Sequence, residues 1–377
     1  MLLADSGRHR CRPQACQIRK SQLRKSKRTG ITPLKKPVGN EAAAVRHNAY
    51  YLVQHGKCAL HPIPQSSPSN MSDITVVRPS WRQLLKRKKF LQLPAAPDAL
   101  TARLIERAGF DAYQVGGFAL DGARFALPDI DLTRFGEKSA AVREITAASK
   151  LPVLVDCDDG YGDVKNVTHV VKTYEALGVS AIFIEDQKPP KRCGHMAGKE
   201  VSPPGEMAQK IRSAVAARHD KDSLFVIART DAVEPHGLKD ALQRCELYLN
   251  AGADAIYVEA EHSEKQLRQV AKEFKGVHKV ANILEGGGKT PWILPRDLHE
   301  MGYSMVLYPT TVLFQMTHTI QEALKRLRRG EPMDGSRAVS MQQFEQLVDL
   351  PRWAIVESRF RTGPFAKLRR VWNKLAG

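Results

Sequence analysis

Short apolar runs alternate with helical patterns along most of the chain, and this alternation constrains the fold more than any other feature. Near-continuous hydrophobic strands between helices indicate a parallel sheet that is covered on both faces. Eight such units in roughly 220 residues predict an α/β protein with a (β/α)8 TIM barrel. The eight predicted strands are residues 90–94, 111–117, 151–158, 179–186, 223–231, 254–260, 279–284 and 304–309.

Helical patterns occupy the segments between these runs, at residues 99–108, 167–177, 206–217, 238–250, 264–274 and 311–328. Gly109, Gly178 and Gly252 each follow a helical pattern and precede a strand. Glycine just past the last helical turn is a C-cap signal. These endings support the barrel. An open doubly wound sheet is the alternative, but such a sheet rarely uses eight equal units.

The positive charge of the chain is concentrated at its N-terminal end. The 377 residues carry a formal net charge of +18, and residues 1–70 contain 13 Lys and Arg against 2 Asp and Glu. This segment has no sustained apolar periodicity, so we predict a disordered basic extension. Met71 is the favoured true start of the protein, and an organellar presequence is the competing interpretation. Because aromatic residues do not interleave with the basic clusters, nucleic-acid binding is disfavoured.

The sequence thus divides into three predicted regions: an extension (1–70), a barrel catalytic domain (71–335) and a helical extension (336–377). Within the last region, residues 342–375 show two or three amphipathic helical patterns, which could pack on the barrel or on another subunit. No apolar run approaches the roughly 18 residues that a membrane span needs. The six cysteines lack paired metal-binding spacing. We therefore expect a cytoplasmic protein without a zinc site or disulfide framework, or an organellar one if the presequence is real.

Acidic side chains gather where the third and fourth predicted strands end. Asp156 and Asp158 are two residues apart, so on a strand they face the same side, and Glu185 ends the next strand. Barrel active sites lie at this end of the strands. Such carboxylates would repel each other unless a cation lies between them, and oxygen ligands of this kind favour Mg²⁺, or Mn²⁺, over zinc. For the nearby Asp159 and Asp163, helix capping and turn roles are the plausible alternative.

The later strands end in residues suited to bind a carboxylic acid. Arg229 follows the fifth strand and offers a planar fork to a substrate carboxylate, although a salt bridge to Asp231 or Glu259 is the competing interpretation. Glu259 and Asn282 end the sixth and seventh strands. The glycine-rich segment 285–290 resembles a phosphate cradle but lacks the nucleotide-binding spacing.

The segment Lys191-Arg192-Cys193-Gly194-His195 places one thiol among three potential cations. Cationic neighbours stabilise a thiolate, so we expect a lowered pKa for Cys193. Alone, the segment reads equally well as a solvated basic loop. Beside the carboxylates of the third and fourth strands, it is better interpreted as a mobile loop that carries an acid.

These motifs together resemble the isocitrate lyase/phosphoenolpyruvate mutase family over residues 91–329. The matching segments are Asp156-Cys157-Asp158-Asp159-Gly160-Tyr161-Gly162, Ile184-Glu185-Asp186-Gln187, Lys191–His195, Arg229-Thr230-Asp231-Ala232, Val258-Glu259-Ala260, Ala281-Asn282 and Leu127-Pro128-Asp129. The resemblance implies a Mg²⁺-dependent barrel that acts on small 2-oxo or 2-hydroxy carboxylic acids. It also implies a homo-oligomer, with a tetramer as the first expectation, in which a C-terminal helix is swapped between subunits.

The resemblance also implies roles for individual residues. Asp158 resembles the direct metal ligand, Asp156 and Glu185 resemble ligands that act through metal-bound water, and Asp129 belongs to the same network. The loop resembles that of the lyase branch, in which the cysteine donates a proton. The candidate catalytic residues are Lys191, Cys193, His195 and Arg229. The candidate substrate-binding residues are Gly116, Gly117, Phe118, Arg229, Glu259, Asn282 and Phe314.

Three departures from the family pattern bear on the substrate. Gly116 stands where many lyases of the family have serine, and Phe314 stands where methylisocitrate lyases have arginine. Loss of that cation suggests a smaller or more apolar substrate. The tyrosine that many lyases carry near the second strand has no clear counterpart, since that neighbourhood reads Tyr113-Gln114-Val115. A strand-end carboxylate is the other candidate for the general base.

We therefore expect a Mg²⁺-dependent carbon–carbon lyase of a 2-methylisocitrate- or dimethylmalate-like 2-hydroxy dicarboxylic acid, which yields a 2-oxo acid and a second carboxylic acid. The alternatives are a phosphonomutase of the carboxyphosphonoenolpyruvate type and an oxaloacetate-directed hydrolase or decarboxylase. A non-catalytic barrel whose basic tail binds polyanions is disfavoured by the complete set of strand-end carboxylates.

Overall fold

Eight parallel strands form a nearly closed barrel in the computed structural model, which describes residues 78–361. The strands are β1 (Leu91–Pro94), β2 (Tyr113–Val115), β3 (Val153–Asp156), β4 (Ala181–Glu185), β5 (Phe225–Thr230), β6 (Ala255–Val258), β7 (His278–Asn282) and β8 (Met305–Tyr308). Seven neighbouring pairs form ladders in the order β1-β8-β7-β6-β5-β4-β3-β2. An Ala95–Gln114 bridge and a 3.2 Å bond from Gln114 Nε2 to the Leu93 carbonyl link β1 to β2. The predicted (β/α)8 TIM barrel is confirmed.

Helices alternate with the strands as predicted. They are α1 (Trp81–Lys88), α2 (Ala99–Arg107), α3 (Gly117–Leu120), α4 (Phe135–Ala148), α5 (Val164–Ala176), α6 (Pro204–Ala217), α7 (Val233–His236), α8 (Leu238–Asn250), α9 (Glu264–Glu273), α10 (Pro295–Met301), α11 (Thr311–Arg328), α12 (Met341–Leu347) and α13 (Leu350–Phe360). Helices α8 and α11 have the predicted bounds. The predicted strands are longer than the observed ones because they include turn residues beside the strands. Asp163 caps α5, the alternative considered for it.

Helix α1 packs across the amino-terminal end of the barrel. Its apolar face, Trp81, Leu84 and Leu85, belongs to the same buried cluster as the inward-facing strand residues, which include Phe225 and Met305. A face with this spacing (i, i+3, i+4) is typical of a helix that packs on a core. Helix α1 therefore closes the amino-terminal end of the barrel interior. The open end is the one at which the strands finish.

The C-terminal helices are only lightly attached to their own barrel. Arg103 of α2 donates to the Leu347 carbonyl at the end of α12 over 3.2 Å, and Leu347 is buried. Helix α13 buries no residue, and Trp353 is 62% exposed. The predicted helical extension is thus present as far as residue 361. The swap of a helix between subunits stays a prediction, and the predicted basic extension lies outside the described residues.

Within residues 78–361 no helix is long and apolar enough to cross a lipid bilayer. The three described cysteines, Cys157, Cys193 and Cys245, are free and buried. The compartment of the protein and the domain boundaries stay predictions.

Removal of the Trp81 indole, which helps to close the amino-terminal end of the barrel, is expected to destabilise the fold. Trp81 is 1% exposed, so Trp81→Ala leaves a cavity that costs about 3–5 kcal/mol of unfolding free energy. Trp292 is 54% exposed, and Trp292→Ala is the matched control with an expected cost below about 1 kcal/mol. Urea unfolding measures both variants. Equal losses would show that α1 does not close the core.

Candidate active site

Carboxylates from β3 and β4 meet at the open end of the barrel. Asp156 ends β3 and Glu185 ends β4, so the parallel sheet places both at the same rim. The Asp158 amide donates to Asp156 Oδ1 over 2.9 Å, and the Glu185 amide donates to the Asp158 carbonyl over 2.8 Å. All three side chains are buried. The sequence prediction that they converge is supported by these contacts.

Two buried ammonium groups balance the charge of Asp158. Lys191 Nζ lies 2.5 Å from Asp158 Oδ1 and 2.5 Å from Asp129 Oδ1, and Lys138 Nζ lies 2.6 Å from Asp158 Oδ2. Burial opposes ionisation of Asp158, but the two lysines outweigh it and lower the pKa of this carboxyl. Lys191 thus links Asp129 to Asp158. Lys138 was not foreseen, because it comes from helix α4.

For the other two carboxylates, Asp156 and Glu185, burial outweighs the nearby cations. Burial, with repulsion from Asp158, raises the pKa of Asp156. Burial also raises the pKa of Glu185 well above its usual value, although Arg229 opposes this shift. Glu185 Oε1 has no hydrogen-bond partner among the described residues. A buried, unpartnered carboxylate oxygen in an all-oxygen donor set fits a hard divalent cation.

The acids do not yet form a compact coordination cage. No three His, Cys, Asp or Glu side chains within residues 78–361 are arranged closely enough to hold a metal ion. Lys191 and Lys138 contact Asp158 directly, so these ammonium groups occupy the positions beside its two oxygens. The donor chemistry therefore fits a divalent cation, whereas the present side-chain positions favour the internal ion pairs.

Arg229 lies in the barrel interior among three acids. Its Nε donates to Asp231 Oδ2 over 2.8 Å, and one terminal nitrogen lies 3.2 Å from Glu185 and 3.4 Å from Glu259. The guanidinium carbon is 5.0 Å from the centre of the Tyr257 ring. The salt bridges considered as the alternative for Arg229 are thus present. They also hold the guanidinium beside the cavity.

Glu259 organises the opposite side of the cavity. It accepts hydrogen bonds from the Tyr257 hydroxyl and from Asn282 Nδ2, and its Oε1 lies 3.0 Å from His195 Nε2. Burial opposes its ionisation, yet Arg229 and His195 lower its pKa. His195 Nδ1 accepts a 2.9 Å bond from the Lys289 amide, so its Nε2 carries the proton that points at Glu259. The glycine-rich segment 285–290 thereby contacts the cysteine loop through Lys289.

Cys193 is a buried, protonated thiol, and the predicted lowering of its pKa is wrong. Burial, with the nearby charge of Asp129, raises the pKa of Cys193 to about 12. The cations that suggested the opposite face elsewhere: Lys191 pairs with Asp129 and Asp158, and Arg192 is exposed. A thiol that keeps its proton suits a proton donor better than a nucleophile.

A small cavity of about 40 Å³ lies between these groups. Its walls are Gln114, Gly116, Gly117, Phe118, Asp129, Asp156, Phe183, Cys193, Gly194, His195, Arg229, Tyr257, Glu259, Asn282, Leu284, Leu307 and Pro309. Such a volume admits a few water molecules but not a dicarboxylic acid. The loop that carries Cys193 must therefore move for a substrate to enter.

Most predicted substrate-binding residues reach this cavity, but Phe314 does not. Phe314 is 39% exposed and stands edge-on to Phe118, with ring centres 6.1 Å apart. It lies on α11, one layer behind the wall, because helix α11 starts only after the β8 turn. Gly117, a candidate substrate-binding residue, lines the cavity, and its amide donates to Asp156 Oδ2 over 3.0 Å. Tyr113 is buried in the layer between barrel and helices, outside the cavity.

Three residues to which the sequence assigned no role in the site, Asp186, Lys199 and Asp231, support it from behind. Asp231 holds Arg229, and Lys199 Nζ lies 3.0 Å from Asp231 Oδ1. Asp186 accepts bonds from Thr230, the Asp231 amide and Tyr248, each at 2.8–2.9 Å. A strand-end position was the available signal for Asp186 and Asp231. No sequence signal connects Lys199 to them.

Comparison with known proteins assigns the family. The family model described as phosphoenolpyruvate phosphomutase matches residues 81–328. A chloroplastic carboxyvinyl-carboxyphosphonate phosphorylmutase of Arabidopsis thaliana is 37% identical, over 75% of this chain and 85% of its own. A 2,3-dimethylmalate lyase of Eubacterium barkeri is 35% identical, over 75% and 97% respectively, and a 2-methylisocitrate lyase of Bacillus subtilis is 40% identical, over 62% and 75%.

Solved structures agree with this assignment. Oxaloacetate acetylhydrolase in complex with 3,3-difluorooxalacetate superposes with a TM-score of 0.70 at 28% identity, covering 73% of this chain and 94% of the other. Phosphonopyruvate hydrolase in complex with oxalate and Mg²⁺ superposes with a TM-score of 0.65 at 29% identity, covering 74% and 97%. The chain belongs to the PEP mutase/isocitrate lyase superfamily, a superfamily of enzymes that includes carbon–carbon bond lyases.

Proposed function

We propose that the protein is a Mg²⁺-dependent lyase that cleaves a carbon–carbon bond of a small 2-hydroxy dicarboxylic acid. The products are a 2-oxo acid and a second carboxylic acid. The observation that carries the proposal is the protonated thiol of Cys193 in the wall of a cavity that also exposes Arg229 and the strand-end carboxylates. Cleavage leaves a carbanion, and an acid in contact with the substrate must protonate it.

The proposed roles follow the electron flow of a retro-aldol cleavage. A base takes the proton of the 2-hydroxyl, the bond between the hydroxyl-bearing carbon and its neighbour breaks, and Cys193 Sγ donates its proton to that neighbouring carbon. Arg229 binds a substrate carboxylate after exchanging one of its three acidic partners for it. Closure of the loop excludes water, which would otherwise compete to protonate the carbanion.

Asp156, Asp158 and Glu185 are the proposed metal-binding residues, and Asp129 completes their network. A Mg²⁺ or Mn²⁺ ion held there would polarise the 2-oxygen as the carbonyl forms. The unpartnered Glu185 Oε1 and the raised pKa of the buried Asp156 support this assignment. The relative crystallised with oxalate and Mg²⁺ gives further support.

The general base is proposed to be a carboxylate of the cavity wall, since Tyr113 points into the helix–sheet layer. Asp129, Asp156 and Glu259 line the cavity. His195 keeps Glu259 ionised and positioned. Lys191 holds the loop and the carboxylate network together through its two ion pairs.

A dicarboxylic acid suits the cavity better than a tricarboxylic acid. Within the described part of the chain, Arg229 is the single Lys or Arg that lines the cavity. The wall near Phe118, Leu284 and Leu307 is apolar, and burial of an unpaired carboxylate there would be costly. A dimethylmalate-like substrate is therefore proposed over 2-methylisocitrate.

The phosphorylmutase among the relatives supports a phosphonomutase as the second candidate. Such an enzyme makes or breaks a carbon–phosphorus bond, which phosphorus NMR detects directly. Such a reaction needs no group that protonates a carbanion at the position of Cys193. An oxaloacetate hydrolase would release oxalate and acetate and is detected by the same product analysis.

A homo-oligomer, with a tetramer as the first expectation, is proposed from the exposed apolar residues of the C-terminal helices. Phe344, Trp353, Ile355 and Phe360 are all exposed in the single chain. An exposed apolar face of this kind marks an interaction surface. Light scattering of the full chain measures the number of subunits.

Replacement of the proposed acid is expected to abolish turnover. Cys193→Ser should lower kcat on 2,3-dimethylmalate by about 10²–10⁴-fold, because a hydroxyl is a far weaker acid than a thiol. Cys245→Ser, a buried thiol outside the cavity, is the matched control and should keep kcat within about threefold. A fully active Cys193→Ser enzyme would rule out the thiol as the proton donor.

Binding of the metal is expected to stabilise the protein without any substrate. Mg²⁺ should raise the unfolding temperature by several degrees, because a ligand of the folded state alone shifts the unfolding equilibrium. Asp158→Asn should lose this response. The control Asp163→Asn keeps a good helix cap on α5 and should retain it. An identical Mg²⁺ response in both variants would contradict the assigned site.

A comparison of two substrates tests the proposal that a dicarboxylic acid is preferred because Arg229 is the single Lys or Arg that lines the cavity. We expect kcat/KM for 2,3-dimethylmalate to exceed that for 2-methylisocitrate by about tenfold or more, because the third carboxylate of the latter would be buried without a partner. Both assays monitor the 2-oxo acid product with a coupled dehydrogenase. A preference for the tricarboxylate would show that another group binds its distal end.

A further inference from the structure

The loop that carries Cys193 connects to the barrel through a second lysine, Lys199. This acid loop, residues 188–200, leaves β4 and closes at its neck through an antiparallel bridge between Gln187 and Val201. At the neck the Lys188 amide also donates to the Glu200 carbonyl over 2.8 Å. The neck is narrow, so other contacts must hold the tip of the loop on the cavity.

Lys199 makes those contacts from a fully buried position. Its Nζ donates to the Gly194 carbonyl at the loop tip and, over 3.0 Å, to Asp231 Oδ1 beyond β5. Its side chain is 0% exposed, and Glu234 Oε2 of α7 lies 3.8 Å away. One ammonium group therefore joins the residue next to Cys193 to a carboxylate of the barrel.

Asp231 is also the residue that aims Arg229. Its Oδ2 accepts from Arg229 Nε over 2.8 Å, and its Oδ1 accepts from Arg229 Nη2 over 3.1 Å. Oδ1 is thus shared between Arg229 and Lys199. A methyl group added at Gly194 would come closer than 3.0 Å to Arg229, so the loop tip rests directly on this guanidinium.

Glu234 extends the same connection to the glycine-rich segment. Its Oε1 accepts from the Gly198 amide over 3.1 Å, and its Oε2 accepts from Lys289 Nζ over 2.8 Å. Lys289 in turn bonds His195 through its amide. Both loops over the cavity are therefore attached to one carboxylate of α7.

We propose that Lys199 is a positioning residue that latches the acid loop: its ammonium group couples closure of the loop over the cavity to the aim of Arg229 through Asp231. Loop opening separates Gly194 from Arg229, and it must break the Lys199 bond either to Gly194 or to Asp231. When the bond to Asp231 breaks, Asp231 loses one of the two cations that hold it, and Cys193 and Arg229 are released together. When only the bond to Gly194 breaks, Lys199 stays on Asp231 and the loop tip alone is released.

The inference deepens the proposed function, on which its catalytic meaning rests, but its test needs no substrate. In the closed loop Cys193 is 8% exposed, so alkylation by iodoacetamide reports how often the loop opens. Mass spectrometry of the Cys193 peptide separates this thiol from the other cysteines. Lyase activity, or its absence, does not enter the measurement.

Lys199→Met keeps the length of the side chain and removes the ammonium group. We expect Cys193 to be alkylated about tenfold faster or more, since a charged hydrogen bond shifts an equilibrium by at least that factor. Lys199→Arg should restore part of the protection. Where the enzyme turns over a substrate, kcat should fall more than KM rises, because closure follows binding.

Two control variants separate latching from general loss of stability. Lys188→Met removes an exposed ion pair at the neck of the same loop. Lys279→Met removes a buried ammonium that bonds the carbonyls of Phe274 and Val277, far from the loop. Both should leave the alkylation rate within about twofold of the wild type. A rate for folded Lys199→Met that matches these controls would overturn the proposal.

If Lys199→Met does not fold, Glu234→Gln serves in its place, because the Glu234 side chain is partly exposed and its loss is better tolerated. We expect about threefold faster alkylation of Cys193, since both loops lose an anchor on α7. An unchanged rate in Glu234→Gln would then overturn the proposal. If the Lys199 and Glu234 variants do not change the alkylation rate but Cys193→Ser loses activity, the latch is overturned and the proton-donor role is kept.

Discussion

Parallel strands deliver their last side chains to one rim of the barrel, and here several of those side chains are acids. Asp156 and Glu185 end the neighbouring strands β3 and β4, Glu259 directly follows β6, and each is buried. Buried carboxylates persist only when cations or hydrogen-bond donors compensate them. Arg229 of β5 compensates Glu185 and Glu259. The acids beside them are compensated from outside the strands, by Lys138 of a helix and by Lys191 and Lys199 of a loop.

The architecture was predictable because it depends on local patterns. Strands β3, β4, β5, β6 and β8 each carry three or more consecutive apolar residues, and residues 238–250 and 311–328 show helical periodicity over their whole length. Asp156, Asp158, Glu185 and Arg229 were identifiable because they immediately follow such runs. In a parallel barrel, position at a strand end implies position in the site.

The charge balance of the site was not predictable, because its cations are distant in sequence from their partners. Lys138 lies 20 residues before Asp158, and Lys199 lies 32 residues before Asp231. The error over Cys193 has the same origin: its cationic neighbours in sequence bind acids elsewhere in space, and burial then dominates its pKa. Phe314 lies outside the cavity because it belongs to α11, whose start follows the end of β8, and the sequence pattern does not show which α11 residues reach the wall.

The protonated state of Cys193 slows the oxidation of its sulfur. Peroxides and electrophilic metabolites attack thiolates rather than thiols. While the loop is closed, burial and the nearby Asp129 charge keep this sulfur in its unreactive form. The same surroundings that keep the proton on Cys193 thus protect its sulfur from irreversible oxidation, and the sulfur is vulnerable only while the loop is open.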